Sequence, residues 1–189
     1  MSSTLITLLV IAAVLAIVVV SLYNAIIGGA NRAQRAWSDV LTYERQKTRV
    51  LDALQEQVGQ YREYEQKILT DITRLRSAIH GLPDQANGSA LAGAHSATRE
   101  LLGDLRIAFE AYPDLKAADI VNNLMREIAE QQENVGAAVV IFNGEVERFN
   151  NTIQMFPGSL VNGMLNKKSA IVPFHDSQAS ASFEYKPNF

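Results

Sequence analysis

Side chains that could bind a metal or catalyse a reaction are scattered along this sequence. The three histidines, His80, His95 and His175, lie on separate segments. No glutamate has a histidine three residues further on, which is the Glu-x-x-His spacing of carboxylate metal sites in helical bundles. The sequence also lacks a phosphate-binding glycine loop and a Gly-x-Ser-x-Gly element. We therefore expect no metal, no cofactor, no evident small-molecule substrate and no enzymatic activity.

The carboxylates with helical spacing have structural explanations. Glu127, Glu130 and Glu133 follow one another at intervals of three, and a solvated helix face accounts for such a ridge. Glu65 interrupts a series of apolar residues. There we expect an arginine or tyrosine partner across the bundle, or a rotation that exposes the carboxylate. His95 lies in an apolar stripe and is interpreted as a hydrogen-bonded residue of the core or its boundary.

A long apolar stretch near the N-terminus must position everything that follows. It runs from Leu5 to Ile27, which is 23 residues without a charged side chain. As a helix it is about 35 Å long, enough to cross a hydrocarbon core of about 30 Å. A cleaved signal peptide is the alternative, but no lysine or arginine precedes the stretch and no convincing cleavage site follows it before Asn31. We predict a retained membrane-spanning helix, represented by Leu5, Val10, Leu15, Val20 and Ile27.

The charges that flank this stretch predict its orientation. The first basic side chains, Arg32 and Arg35, follow it in the sequence. For a single-pass protein of a bacterial inner membrane, the positive-inside rule therefore predicts Met1 outside and the rest of the chain in the cytoplasm. The formal net charge of −3 gives no indication of nucleic-acid binding. The absence of cysteine excludes disulfides and a lipid-modified cysteine.

The rest of the chain has helical periodicity. Apolar or aromatic residues recur at alternating steps of three and four from Leu51 to Ile79, with Glu65 as the exception, and again from Val135 to Phe156. This pattern is typical of helices that pack along a seam. Gly81 and Pro113 indicate helix ends. We predict three bundle helices, spanning about residues 30–80, 90–111 and 119–156.

These patterns predict an all-α fold, in which an N-terminal transmembrane helix precedes an antiparallel bundle of long helices and an extended C-terminal tail. Gly28 and Gly29 are candidates for a kink or break after the anchor. The chain is divided into an anchor, a bundle, and a short amphipathic segment with an extended aromatic tail, at residues 1–29, 30–157 and 158–189. The bundle core is expected to contain Trp37, Leu51, Leu54, Val58, Tyr61, Ile68, Leu102, Phe109, Phe142, Val146, Phe149, Ile153 and Phe156.

Some apolar residues cannot all face this core. Val139 to Phe142 are four consecutive apolar residues, so the helix is either buried on two sides there or offers a patch to another subunit. The aromatic residues of the tail could pack on their own bundle, on another copy, or on nothing. The candidate self-association patch consists of Val139, Val140, Ile141, Phe174, Phe183 and Phe189.

The chain resembles the LemA family in motifs that occur in order along nearly its whole length. The N-terminal helix is followed by Tyr23-Asn24 and Arg35-Ala36-Trp37-Ser38, and later by Tyr61 and Tyr64-Glu65. The most specific motif is Ala111-Tyr112-Pro113-Asp114-Leu115-Lys116-Ala117. Further on come Phe142-Asn143, Phe149-Asn150-Asn151-Thr152-Ile153 and Phe156-Pro157-Gly158. The resemblance implies an antiparallel bundle of long helices on a membrane anchor, in a family whose molecular role is not established.

The chain departs from the family pattern at three places. Asp52-Ala53 stands where relatives usually have Pro-Asn, and Tyr64 stands where they have histidine. The apolar Val139 to Ile141 replace a basic pair, which implies that this member associates differently from its relatives. The resemblance supplies no catalytic residues.

Two hypotheses of function follow from these observations. The first is a structural or scaffolding protein that forms homo-oligomers at the lipid bilayer. The second is an adaptor that binds another membrane protein in envelope signalling or quality control.

Overall fold

The computed structural model describes residues 3–58, 65–111 and 119–176. These residues form helices, turns and a short extended segment, and they contain no β-strand. The predicted fold class is confirmed, because a long N-terminal apolar helix continues into a bundle of helices.

The first helix, α1, spans Ser3–Val58 and contains 56 residues, so it is about 84 Å long. It passes without a break through Gly28 and Gly29, where the sequence suggested one. Gly29 has a packing role, since a Cβ at this position would lie 3.3 Å from the Cδ2 atom of Phe149. Removing the Cβ lets the two helices approach closely, and α1 therefore joins the apolar stretch directly to the bundle.

The second helix, α2, spans Glu65–His80 and runs antiparallel to α1. The Nη2 atom of Arg76 lies 2.6 Å from the Oδ1 atom of Asp52, whereas a continuous helix would separate these two residues by roughly 36 Å. The prediction of one helix over residues 30–80 is therefore wrong. The prediction failed for a physical reason. The apolar residues of the series lie on two helices, α1 up to Val58 and α2 from Ile68, and these residues pack against each other in one buried cluster.

Two further long helices complete an up-down-up-down bundle. Helix α3 spans Leu91–Ala111 and follows a 3₁₀ turn at Gly88–Ala90. It is antiparallel to α2, because Lys67 contacts Asp104 (2.7 Å between Nζ and Oδ1) whereas Arg74, further along α2, contacts Glu100, which comes earlier on α3. Helix α4 spans Asp119–Gln154, and a short helix α5 spans Gly158–Val161. Because the third and fourth long helices begin and end close to the predicted boundaries, the reversal after α1 is the main correction.

Within the described residues, the core consists of three buried clusters along the bundle. The cluster furthest from the apolar half of α1 joins α1, α2, α3 and α4, the middle one contains Trp37 and Phe142 with ring centroids 5.2 Å apart, and the third joins Ile26 to Phe149. Of the residues expected in the core, ten are buried and Leu102 is partly buried against the first cluster, whereas Tyr61 lies outside the described residues. The ten are Trp37, Leu51, Leu54, Val58, Ile68, Phe109, Phe142, Val146, Phe149 and Ile153.

Phe156 was expected to be buried, and this expectation is wrong because its side chain is 84% exposed. Helix α4 ends at Gln154. Beyond that residue the steps of three and four no longer correspond to one helix face, so Phe156 points away from the seam that buries Phe149 and Ile153.

Candidate functional site

The apolar part of α1 extends beyond the bundle. Its large side chains from Leu5 to Val20 are 38–66% exposed, and its most apolar 18-residue window has none of its residues buried against the protein. Contact with the bundle begins at Leu22, which is partly buried, and Ile26, which is fully buried. This stretch is long and apolar enough to cross a membrane, so α1 contains a candidate membrane-spanning segment fused to the first bundle helix.

The predicted self-association patch is only partly exposed. Val140 and Ile141 are 73% and 62% exposed on the outer face of α4. Val139 and Phe174 are instead partly buried against the middle core cluster, so including them in an open patch was wrong. For Val139 the reason is the helical position, which lies between the outer face and the core. Phe183 and Phe189 lie outside the described residues.

Phe174 belongs to a tail segment that packs on its own bundle. The amide group of Asn143 forms two hydrogen bonds with the backbone of Phe174, one from Nδ2 to the carbonyl and one from the backbone N–H to Oδ1, both 2.9 Å long. Asn150 forms the same pair with Ile171, at 2.8 and 3.0 Å. Asn143 and Asn150 are seven residues apart on a helix, and Ile171 and Phe174 are three residues apart in extended chain. Both separations are about 10 Å, so the spacing of the two asparagines matches the spacing of the tail residues that they bind.

This arrangement explains two of the motifs noted in the sequence. In Phe142-Asn143 and Phe149-Asn150 the phenylalanine is buried in the core, while the neighbouring asparagine holds the tail. The backbone N–H of Gly88 adds a third contact by donating to the carbonyl of Val172 at 2.8 Å. The sequence signal for this role was the repeated Phe-Asn pair at an interval of seven residues.

A buried ion pair in the middle of the bundle was not predicted from the sequence. The Nζ atom of Lys47 lies 2.9 Å from Oε2 of Glu44, and the two side chains are 0% and 1% exposed. Lys47 also donates to Oγ1 of Thr98 on α3 at 3.2 Å and to Oε1 of Gln132 on α4 at 2.7 Å. Burial lowers the pKa of Lys47, and the nearby carboxylate of Glu44 opposes this effect. The lysine therefore joins three helices through polar contacts within the core.

The surroundings of this ion pair limit its chemistry. A cavity of about 40 Å³ is bordered by Glu44, His95, Gln132 and Phe174, which is room for a water molecule and far too little for a metabolite. The ring of His95 is half-buried and its centroid lies 5.6 Å from that of Phe174, and desolvation lowers the pKa of its imidazole. Lys47 has no access to solvent, so the pair does not present a reactive amine to a substrate.

A second polar cluster joins α2 and α3. Burial raises the pKa of Asp71, and the hydrogen bond and negative charge of Asp104 raise it further, while Lys67 and Arg74 oppose these effects. The hydrogen bond from Lys67 to Asp104 lowers the pKa of Asp104. Asp71 therefore takes up a proton more readily in the folded protein than in the unfolded chain.

The other acidic residues form no metal site in the part of the chain that the structure describes. Glu127, Glu130 and Glu133 are exposed along α4, and the side chain of Glu65 lies outside the described residues. Within the same ranges, no group of three or more histidine, aspartate or glutamate side chains is arranged to hold a metal ion.

Comparison with known proteins agrees with the architecture and the motifs. The family model of the LemA family matches residues 36–183. The chain is also 26% identical over 133 residues to a protein named Protein LemA from Metamycoplasma hominis, in an alignment that covers 70% of this chain and 60% of the relative. The chain thus spans less than two thirds of the length of the curated relative that it matches. Since the family match extends from the start of the bundle through the tail, this chain belongs to the LemA family.

Proposed function

We propose that this protein is a membrane-anchored scaffold whose bundles associate with one another through α4. The proposed role is structural, since the buried polar groups described above hold helices and tail together. The apolar part of α1 fixes the protein in the bilayer, and the basic residues that follow it favour a cytoplasmic bundle.

The observation that carries this proposal is an exposed, uncharged face on α4. It consists of the exposed residues Gly136, Ala137, Val140 and Ile141 and the half-buried Gly144, which we call the α4 patch. Within the described residues, a Cβ added at either glycine would meet no atom within 4 Å, and no charged residue occurs between Val135 and Gly144. A low, apolar face of this kind lets the same face of a second copy approach without burying charge.

The experiment measures the mass of the full-length protein in mild detergent and in lipid nanodiscs. We expect a multiple of the monomer mass for the wild type and a monomer for Val140→Asp, because association would bury the new carboxylate. Ile107→Asp is the matched control, since Ile107 is also exposed, at 56%, but lies on α3. It should leave the mass unchanged.

Two results would contradict self-association. One is a monomeric wild type, and the other is a Val140→Asp variant that keeps the wild-type mass. The adaptor hypothesis would replace the scaffold if the wild type were monomeric and a crosslinker at position 140 joined it stoichiometrically to one foreign membrane protein.

The proposed orientation has its own test. The sequence contains no cysteine, so Ile120→Cys introduces a single thiol at an exposed position near the start of α4. In cells from which the outer membrane has been removed and whose inner membrane is intact, a membrane-impermeant maleimide should not label this thiol. Labelling should occur once the inner membrane is permeabilised. Labelling before that step would place the bundle outside.

A further inference from the structure

A segment at the base of the bundle exposes apolar side chains that the core does not explain. We call residues 155–168, which follow α4 and include α5, the basal segment. Five of its large apolar side chains are exposed: Met155, Phe156, Leu160, Met164 and Leu165, at 64%, 84%, 58%, 70% and 54%. Such a concentration within eleven consecutive residues is unusual for a surface in water and marks contact with a membrane or another molecule.

The fold places this segment beside the end of the apolar part of α1. Val161 is buried in one cluster with Ile26 and Phe149. Asn166 donates from Nδ2 to the carbonyl of Tyr23 at 3.4 Å. The basal segment is therefore level with residues 22–27 of α1, which are the last turns of the predicted membrane span.

The position along α1 also determines how far the segment is from the bilayer. The first charged side chain of α1 is Arg32, about 9 Å beyond Ile26 along the helix axis. The boundary between lipid and water should therefore lie between Ile27 and Arg32. Tyr23 is 41% exposed just below this level, at a depth where tyrosine is enriched in membrane proteins.

The charges of the basal segment suit a lipid surface as well. No aspartate or glutamate occurs between Arg148 and His175. The two charged residues of the segment are Lys167 and Lys168, both exposed. Exposed apolar side chains together with lysines, and without acidic residues, are the composition of segments that lie in the headgroup region of anionic membranes.

We propose that the basal segment inserts its exposed apolar side chains into the membrane interface beside α1. This inference rests on the proposed membrane anchor, and the bilayer is its single occupant. The bundle then contacts the membrane at two places, the span and the basal segment, so its height above the bilayer and its tilt are restricted.

The test uses the full-length protein in vesicles of phosphatidylethanolamine and phosphatidylglycerol. Because the chain has no cysteine, Leu160→Cys, Phe156→Cys and Met164→Cys each give one site for a nitroxide label. Electron paramagnetic resonance then compares collisions with oxygen, which concentrates in lipid, and with a water-soluble nickel complex. We expect all three labels to collide with the nickel complex several-fold less often than the control label, and with oxygen more often.

The control is Ile107→Cys, because Ile107 and Leu160 are 56% and 58% exposed. Ile107 lies on α3 near the cluster that contains Leu54, roughly 40 Å further along α1 than Ile26. Its label should collide readily with the nickel complex. Circular dichroism melts that coincide with the wild type establish that each variant is folded.

Two outcomes overturn the proposal. Labels in the basal segment that behave like the control place it in water, and labels that neither reagent reaches place it against protein. Leu15→Cys separates this failure from failure of the anchor, since Leu15 lies within the predicted span. If the L15C label is in lipid and the L160C label is in water, only the basal contact is wrong. If both labels are in water, the proposed anchor is wrong too.

Discussion

The ammonium of Lys47 and the carboxylate of Glu44 face each other at 2.9 Å in the middle of the bundle, with neither side chain in contact with solvent. They lie three residues apart on α1, and Lys47 reaches α3 and α4 through Thr98 and Gln132. A buried pair of this kind gains mutual attraction but loses the hydration of both groups. Such a pair therefore gives little net stability compared with apolar residues of similar size, and this can be measured.

Replacing Lys47 alone should lower the free energy of unfolding much more than replacing Lys47 and Glu44 together. Lys47→Met leaves the carboxylate of Glu44 buried and unpaired, so we expect a loss of about 3–5 kcal/mol in the free energy of unfolding. The double variant Glu44→Leu/Lys47→Met buries apolar groups instead and should come within about 1 kcal/mol of the wild type, or exceed it. Thermal and chemical denaturation of the full-length protein in detergent provide the comparison. Equal losses in the two variants would contradict this account.

The free energy of unfolding should increase when Asp71 is made permanently neutral. Because the folded state raises the pKa of Asp71, the protonated form is favoured on folding. Its stabilising contribution is complete below the ordinary aspartate pKa and is lost as the pH rises through the folded pKa. Asp71→Asn should therefore melt at a higher temperature than the wild type at pH 7, and the difference should shrink as the pH falls toward about 4.

The control for this effect is Asp39→Asn, which changes an exposed aspartate on α1. Its melting temperature should stay close to that of the wild type at both pH values. A lower melting temperature for Asp71→Asn at pH 7 would show that the attraction of Asp71 to Lys67 and Arg74 outweighs its burial and the nearby charge of Asp104.

Each of the two asparagines should protect only the tail residue that it binds from hydrogen exchange. Asn143→Ala removes both hydrogen bonds to the backbone of Phe174, so hydrogen exchange at the amide of Phe174 should accelerate about fivefold, equivalent to roughly 1 kcal/mol. Asn150→Ala should act in the same way on Ile171. Each variant is the control for the other. Exchange that is fast at both amides in the wild type would show that the tail is not docked in solution.

Gly88 provides an independent test of the same docking. A Cβ added there would lie 2.2 Å from the backbone nitrogen of Phe174 and 2.3 Å from the carbonyl carbon of Pro173, so the tail must move. Gly88→Ala should therefore accelerate exchange at Phe174 and Ile171 together. Gly93→Ala on α3 is the matched control, since its added Cβ meets no atom within 4 Å. Unchanged exchange in Gly88→Ala would contradict the tail position.

Phe142 and Phe156 belong to the same apolar series, from Val135 to Phe156, but should differ strongly in their contribution to the free energy of unfolding. Phe142 is 0% exposed and packs against the ring of Trp37, whereas Phe156 is 84% exposed. Phe142→Ala should reduce the free energy of unfolding by about 3–5 kcal/mol, and Phe156→Ala should change it by less than about 0.5 kcal/mol. Melting curves in detergent test both values. A large loss from Phe156→Ala would mean that the side chain is buried after all.

The sequence by itself determined the features that depend on local composition and periodicity. The run from Leu5 to Ile27 has no charged residue, so a helix formed by it is apolar on every face. The regular apolar steps around Phe142 and Phe149 assign these two residues to the inward face of their helix. Gly81 and Pro113 indicated helix ends because the backbone preferences of glycine and proline act locally. The family motifs were likewise visible as residues in order.

Only the tertiary structure decided how these helices pair. The apolar steps continue from Leu51 to Ile79 on both sides of the reversal, so periodicity could not distinguish one long helix from two facing ones. Lys47 has the residue type of a solvated position, and its burial depends on the neighbours that α3 and α4 supply. The tail has no strong local preference, and its place is determined by the side-chain amides of Asn143 and Asn150 on α4, which come 31 and 21 residues before the tail residues that they bind.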